Sequence, residues 1–125
     1  MEQPAGNKIT GNPSSHPALS VKWVEDFPDI PLNRNEAYKL RVTSKGVEIE
    51  AITETGVYRA IQTLRQLTEK KGNGIAITGC EITDWPAFRI RGFMQDVGRT
   101  YISTDELKRE IAILARYKIN VFHWH

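Results

Sequence analysis

The sequence predicts an α+β fold, in which an antiparallel-rich sheet with a helix on one face is followed by a strand–helix–strand unit. Along residues 37–52 apolar and charged side chains alternate, which is typical of half-buried strands. Along residues 53–70 the apolar residues recur at helical spacing instead. After Trp85-Pro86 come a strand, a helix of about 16 residues and a second strand. This order is typical of a βαβ unit, whose two strands run parallel.

Composition limits the classes of partner. The chain has 125 residues, which suffices for one sizeable core but not for two. Its 17 basic and 15 acidic residues are spread along the sequence without a basic block, so no nucleic-acid partner is predicted. No apolar run is long enough to cross a membrane, and the start "MEQPAGNKITGN" lacks the apolar region of a signal peptide. The single cysteine, Cys80, excludes an internal disulfide and is expected to be a packed thiol.

The N-terminal part predicts a loose segment followed by strands. Residues 1–19 are rich in Gly, Asn, Pro and Ser, so we expect a flexible N-terminal segment there. Residues 20–26 are predicted to form a first strand, and residues 37–52 a hairpin that turns at Ser44-Lys45-Gly46. On the charged face of the hairpin we expect cross-strand ion pairs. Those side chains are Lys39 and Arg41 on one strand and Glu48 and Glu50 on the other.

A helix over residues 53–70 is expected to lie on the apolar face of this hairpin. Its apolar stripe consists of Val57, Ala60, Ile61, Leu64 and Leu67. Lys70, Lys71 and Gly72 mark its predicted end. Residues 74–84 return to strand, and Trp85-Pro86 closes the unit because proline cannot continue the ladder.

The second unit begins with a strand over residues 88–96 and a loop over 97–102. Ser103-x-x-Glu106 predicts a capping box at the start of a helix that carries Leu107, Ile111 and Leu114 on one stripe. A last strand covers residues 119–125. Two parallel strands and one helix leave apolar faces without partners, so we expect this unit to be a truncated piece of a larger sheet.

Polar residues at the ends of these strands are the candidates for chemistry. Asp96 and Arg99 follow the first strand of the βαβ unit, and ligand sites in parallel α/β proteins form beyond the carboxyl ends of strands. Arg99 could donate paired hydrogen bonds to sugar hydroxyls, a carboxylate or a phosphate. A structural Asp96–Arg99 ion pair explains the same spacing, and the sequence leaves both interpretations open.

His123 and His125 share one face of the last strand, as alternate residues do. Two imidazoles could contact one metal ion, but they do not make a zinc site without further ligands, and no acidic cluster is near. Packed or hydrogen-bonded histidines are therefore favoured, and neither a metal nor a cofactor is predicted.

Several separate patterns resemble one family. Tyr38-Lys39-Leu40-Arg41-Val42, Gly46 to Ala51 and Gly56 to Leu64 follow in the order found in the accessory domain of the family-20 glycoside hydrolases, the β-N-acetylhexosaminidases. "ITDWPAFRIRGFMQDVGR" and "YKINVFHWH" are similar to the start of that family's catalytic (β/α)₈ barrel. The resemblance covers about residues 35–125.

The resemblance implies that residues 20–86 form an accessory α+β domain, incomplete at its N-terminus, and that residues 87–125 form a truncated first β-α-β of the barrel. The family acts by a substrate-assisted mechanism, with a catalytic Asp-Glu pair in a later motif. This chain lacks that motif, so the resemblance implies no catalytic residue here and an inactive isolated chain. Arg99 matches the arginine that binds hydroxyls of the non-reducing sugar, with Asp96 and His125 as supporting residues.

The resemblance also implies partners and a location. The full-length parent is expected to act on N-acetylhexosamine-terminated glycans and to be exported, which means periplasmic, secreted or lysosomal; the chain itself does not indicate a compartment. In the family the accessory domain opens with a further strand and helix, which residues 1–19 are too short and polar to supply. A sheet face left bare in this way predicts self-association of the chain. The alternative is a non-catalytic α+β module for assembly or binding.

Overall fold

The computed structural model describes residues 8–10, by their backbone, and residues 18–125. The chain divides into two compact units, and the boundary in the sequence lies between Ala87 and Phe88. In the described part of the first unit the elements are β1 (Lys8–Thr10), β2 (Ala18–Trp23), β3 (Tyr38–Thr43), β4 (Gly46–Ala51), α1 (Glu54–Leu67), β5 (Thr68–Lys71), β6 (Gly74–Thr78) and β7 (Cys80–Asp84). In the second unit they are β8 (Gly92–Gln95), α2 (Thr104–Arg116) and β9 (Val121–Trp124). A short 3₁₀ helix (Arg34–Glu36) precedes β3, so the described residues form a mixed fold of sheets, two α-helices and this 3₁₀ turn.

The main sheet of the first unit has the strand order β2-β4-β3-β7. The predicted hairpin is confirmed: β3 and β4 are antiparallel, with Tyr38 opposite Ala51 and Thr43 opposite Gly46. β7 is antiparallel to β3, whereas β2 runs parallel to β4. The sequence predicts the first strand over residues 20–26. In the structure it is Ala18–Trp23, so it both begins and ends earlier.

Helix α1 packs on the apolar face of the hairpin, as predicted. The buried residues between them share the inward face of β3, β4 and α1: Tyr38, Leu40, Val42, Val47, Ile49 and Ala60. The predicted stripe residues Val57, Ile61, Leu64 and Leu67 pack against this cluster. Thr53 caps the helix, because its hydroxyl accepts a hydrogen bond from the Gly56 N–H at 3.3 Å.

The end of α1 differs from the prediction. The helix ends at Leu67 rather than at Lys70, and β5 continues directly from it. β5 and β6 form an antiparallel hairpin around Gly72, whose φ of +59° suits the turn. Pairing with β6 satisfies the backbone of residues 68–71 in the extended form, so it prevails over the helical propensity of Glu69 and Lys70.

The prediction of a flexible segment over residues 1–19 is wrong for part of its length. Lys8–Thr10 pairs antiparallel with β6 in a second sheet of order β1-β6-β5. Ala18 and Leu19 lie in β2 and pair with β4. These pairings are long-range, so the local Gly, Asn and Pro content does not reveal them. The other residues of the predicted segment lie outside the described part of the chain.

The predicted ion pairs on the outer face are only partly right. Lys39 lies opposite Glu50 and Arg41 opposite Glu48, but the nearest Arg41–Glu48 atoms are 3.9 Å apart. Neighbours on β2, on β7 and in the loop before β3 compete for the same charges. The short pairs are Arg41–Glu81 and Lys39–Asp29, both at 2.8 Å, and Lys22–Glu50 at 2.7 Å.

The end of the first unit is anchored by contacts of Asp84, Trp85 and Pro86. The buried Tyr38 hydroxyl donates to Asp84 Oδ2 at 2.9 Å and lies 2.6 Å from Thr63 Oγ1, so one group connects β3, β7 and α1. Asn33 Nδ2 donates to the Pro86 carbonyl at 2.7 Å. Trp85 packs against the second buried cluster of this unit. These contacts hold the chain in place immediately before the boundary at Ala87.

The second unit is a βαβ unit, as predicted. β8 and β9 are parallel, with Gly92 opposite Val121 and Gln95 opposite Trp124. The capping box is also confirmed, because Ser103 Oγ accepts from the Glu106 N–H and Glu106 Oε2 accepts from the Ser103 N–H, each at 3.2 Å. Leu107 is the buried residue of α2.

Helix α2 ends in a Schellman motif. The Ile119 N–H donates to Leu114 O at 3.1 Å, and the Lys118 N–H donates to Ala115 O at 3.0 Å. Lys118 occupies the position that glycine usually takes and has a φ of +59°. Because glycine is absent there, the sequence carries no local signal for this helix end.

Candidate functional site

The start of the two parallel strands is braced by Arg91 and Asn120. The Arg91 N–H donates to Asn120 Oδ1 at 2.8 Å, and the Asn120 N–H donates to Arg91 O at 3.0 Å. Asn120 Nδ2 also donates to the Arg89 carbonyl at 2.8 Å. These bonds set the register of β8 against β9 before the first ladder pair.

The Arg91 side chain connects this brace to the turn after α2. Its Nε donates to Lys118 O and its Nη1 to Phe88 O, both at 2.7 Å. Arg91 and Asn120 were not singled out from the sequence. A charged residue and an amide at the starts of two otherwise apolar strands are the signal that could have found them. Their role is to position the strands whose opposite ends carry the candidate site.

The opposite ends of the strands bring Asp96 and His125 together. The His125 N–H donates to Gln95 O and the Val97 N–H donates to His125 O, both at 2.9 Å. The ladder thus continues one residue beyond the assigned strands and places Asp96 opposite His125. Residues paired in a parallel ladder share a face, so Asp96, His123 and His125 lie on the same side of the two strands.

Both earlier interpretations of Asp96 and Arg99 are compatible with this geometry. Asp96 Oδ1 accepts from the Gly98 N–H at 2.8 Å, and Asp96 Oδ2 lies 3.3 Å from Arg99 Nε. The structural ion pair therefore exists. Because the contact uses Nε and 91% of the Arg99 side chain is exposed, the terminal nitrogens of the guanidinium face solvent. At this exposure the pair adds less than about 1 kcal/mol to stability.

The two histidines pack against each other edge to face. Their ring centroids are 5.9 Å apart and the ring planes are inclined by 84°. Among the described residues no group of three or more His, Cys, Asp or Glu side chains is arranged to hold a metal ion. The two imidazoles therefore form a polar surface on the same side of the strands as Asp96.

Cys80 is a structural thiol. It packs against the core of the first unit, as predicted, and burial raises the pKa of its thiol. A raised pKa keeps the group protonated at neutral pH, and the thiolate is the nucleophilic form. Cys80 is therefore not a candidate nucleophile.

Comparison with protein families gives one answer for both units. The sequence pattern described as glycosyl hydrolase family 20, domain 2, matches residues 4–85. The pattern of the catalytic domain of the same family matches residues 88–125. The chain belongs to glycosyl hydrolase family 20.

Relatives of this family-20 chain agree with the assignment. It is 40% identical over 131 aligned positions to a β-hexosaminidase of Porphyromonas gingivalis, covering 99% of this chain and 15% of that protein. It is 39% identical over 109 positions to a β-N-acetylhexosaminidase of Cellulomonas fimi, covering 86% of this chain and 22% of that protein. The chain therefore spans about a fifth or less of the length of these relatives.

Solved structures of the family resemble this chain too. A β-N-acetylhexosaminidase of Bacteroides fragilis matches with a TM-score of 0.75 at 36% identity, covering 86% of this chain and 20% of that one. An exo-β-N-acetylglucosaminidase of Vibrio harveyi in complex with N-acetylglucosamine matches with a TM-score of 0.72 at 36% identity, covering 86% and 16%. In the described part of this chain, no helix has the length and apolar character needed to cross a membrane.

Proposed function

We propose that this family-20 chain is part of a β-N-acetylhexosaminidase that removes terminal non-reducing N-acetylhexosamine residues from glycans. The observation that supports it best is the order of the two family matches, with domain 2 over residues 4–85 and the catalytic domain over 88–125. The Vibrio harveyi relative is an exo-β-N-acetylglucosaminidase with N-acetylglucosamine bound, which supports the same class of substrate.

Within the parent protein, we assign residues 20–86 to the accessory domain and residues 87–125 to the first β-α-β of a (β/α)₈ barrel. Parallel strands are normally buried on both faces. Here Met94 on one face of β8 and Trp124 on the opposite face of β9 are exposed, at 59% and 63%. Further barrel strands and helices would cover both faces.

Arg99 is the residue of this chain that we assign to sugar binding. Its planar guanidinium offers parallel N–H donors that suit two adjacent hydroxyls. Asp96 positions it from the Nε side at 3.3 Å, and the backbone bonds of His125 hold the neighbouring strand end in place. Proton donation to the leaving oxygen requires a placed acid from elsewhere in the parent, so the isolated chain is expected to be inactive.

A chimera tests this proposal. This chain would replace the matching segment of the Cellulomonas fimi enzyme, and turnover of an aryl N-acetyl-β-glucosaminide would be measured. Arg99→Ala removes charged hydrogen bonds worth about 1.5–3 kcal/mol each, so kcat/KM should fall roughly 10²–10⁴-fold. Arg99→Lys should lose less, and the exposed Arg65→Ala should change nothing.

Two results would contradict the proposal. One is a chimera that unfolds cooperatively on heating yet releases no aryl product. The other is an Arg99→Ala chimera as active as the Arg65→Ala control. Turnover by the purified 125-residue chain alone would separately refute its expected inactivity.

A second candidate behaviour, assembly of this chain with itself, is favoured by the exposed apolar side chains of β2. Leu19, Val21 and Trp23 are 53%, 39% and 57% exposed. We propose that another copy covers part of this surface, since soluble proteins rarely expose contiguous apolar patches without a partner. A concentrated sample that stays monomeric would refute assembly, and titration with N-acetylglucosamine would show whether the chain alone binds sugar.

A further inference from the structure

Strand β2 is an open edge of the main sheet. In the described part of the chain it pairs with β4 on one side, and the strand order β2-β4-β3-β7 leaves its other side without a neighbour. All six residues of Ala18–Trp23 are exposed. An exposed strand edge presents unpaired N–H and C=O groups, which are a template for pairing with another strand.

The direction of these backbone groups follows from one hydrogen bond. The Val24 N–H donates to Ala51 O at 3.1 Å, so the backbone of Val24 turns toward β4. Backbone groups alternate in direction along a strand. Those of Ser20 and Lys22 therefore also turn toward β4, and those of Leu19, Val21 and Trp23 turn outward to the open edge.

We propose that a second copy of this chain pairs antiparallel along β2, with the two-fold axis at Val21. This deepens the self-association proposed above and rests on it. Val21 then faces Val21 of the second copy, and Leu19 faces Trp23 of the second copy. Each of these pairs joins outward-facing residues that exchange both backbone hydrogen bonds, so every outward donor and acceptor of the three residues is satisfied.

Side chains agree with this register. Leu19, Val21 and Trp23 lie on the sheet face that carries the buried residues of β4, because they pair with Val47, Ile49 and Ala51. Each Leu19 would contact a tryptophan across the pair, a favourable aliphatic–aromatic combination. The apolar face would then continue from one copy into the other.

Charge distinguishes this register from its neighbours. With the axis at Val21, Lys22 faces Ser20 of the second copy, and its ammonium stays bound to Glu50 at 2.7 Å. An axis at Lys22 would place two lysines directly opposite each other, which is unfavourable. An axis at Ser20 would leave Trp23 opposite a residue outside β2. The Val21 axis alone pairs all three outward residues.

The interface is small. A single pair of short strands buries less than the roughly 1,200 Å² typical of stable complexes, so the dimer is expected to be transient and to require concentrated protein. Disulfide trapping suits such a dimer because it accumulates a short-lived species. The test below uses the whole chain at about 1 mM, where a weak complex is populated.

Cysteine variants read out the register directly. Val21→Cys should give a covalent dimer on mild oxidation, because paired residues of this type have Cα atoms about 5.5 Å apart, within disulfide range. Leu19→Cys alone and Trp23→Cys alone should stay near the level of the wild-type chain, which contains Cys80. An equal mixture of those two variants should cross-link. We expect at least a tenfold excess of dimer over wild type in the two positive cases.

Sedimentation equilibrium gives the second measurement. Val21→Lys places like charges at the axis and should weaken association of the chain at least tenfold. Ile75→Lys is the matched control, because Ile75 is an exposed apolar residue on β6, in the other sheet. Far-UV circular dichroism would verify that both variants are folded.

The outcomes separate this inference from the broader proposal. If the wild type associates but Val21→Cys does not cross-link, pairing along β2 is refuted and self-association remains supported. Cross-linking of Leu19→Cys alone as strong as that of Val21→Cys overturns the register. A wild-type chain that is monomeric at about 1 mM, with no Val21→Cys dimer, overturns both. None of these results bears on the hexosaminidase assignment, which the chimera tests.

Discussion

Substitution of Gly56 by alanine should destabilise the first unit, although alanine favours helices. Gly56 lies in the first turn of α1 against the backbone of Ala37. A Cβ atom at this position would lie 2.5 Å from Ala37 O and 3.1 Å from the Ala51 Cβ. Carbon atoms pack best at about 3.5–4.0 Å, so α1 would have to withdraw from the chain at Ala37.

That withdrawal is opposed on both sides. Ala37 is fully buried and is followed directly by Tyr38, whose register with Ala51 sets the hairpin. Thr53 accepts from the Gly56 N–H and donates to the Asn35 carbonyl, so a shift of the helix start also strains its cap. Overpacking of this kind costs about 1–3 kcal/mol and occasionally more. The higher helix propensity of alanine offsets at most about 1 kcal/mol of this cost.

We therefore expect Gly56→Ala to lower the free energy of unfolding by about 2 kcal/mol. For a unit of this size the midpoint of thermal unfolding should fall by roughly 8–16 °C. Urea unfolding followed by far-UV circular dichroism measures the first quantity, and calorimetry measures the second. Gly74→Ala is the matched control, since among the described residues a Cβ there would meet only Lys71 O, at 3.8 Å. A Gly56→Ala chain at least as stable as the wild type would refute the reasoning.

Three further substitutions are tested by urea unfolding. Lys118→Gly should stabilise the chain by about 1 kcal/mol, because φ is +59° there; no gain would contradict this. Tyr38→Phe should cost about 1.5–3 kcal/mol by removing the hydrogen bond that the buried Tyr38 hydroxyl donates to the Asp84 carboxylate, whereas the exposed Tyr58→Phe should change little, so equal effects would count against it. Ser103→Ala should lower the free energy of unfolding at pH 7, and it should lower it less at acidic pH. The Ser103 hydroxyl lowers the pKa of Glu106 below its usual 4.5, so that contribution is present above pH 4.5 and is lost as pH falls through the lowered value. A Ser103→Ala effect that stays undiminished once titration shows Glu106 to be protonated would disprove this.

In the candidate site, the spacing of residues along the sequence predicted position better than role. Asp96 and Arg99 follow a strand, so the sequence places them at the carboxyl end of a parallel pair but leaves two roles open. Tertiary structure shows the ion pair, in which Asp96 holds one edge of the guanidinium, and it leaves most of the Arg99 side chain exposed, which is compatible with ligand binding. Sequence reasoning also predicted the shared face of His123 and His125. It missed the braces formed by Arg91 and Asn120, whose partners are about 30 residues away.

The sequence alone determined much of the local secondary structure of this protein. Alternation over β3 and β4, the stripe of α1 and the Ser103–Glu106 capping box depend on residues a few positions apart, so each could be predicted from the pattern alone. The resemblance to family 20 also rests on short patterns, such as Tyr38–Val42, Gly46 to Ala51 and "YKINVFHWH". The end of α1, the strand at Lys8–Thr10, the partners of Lys39 and Arg41, and the left-handed Lys118 were decided by tertiary structure. The physical reason is that each of these features depends on which backbone or charged group of another element or loop completes a hydrogen bond or ion pair, and several local sequences can satisfy the same partner.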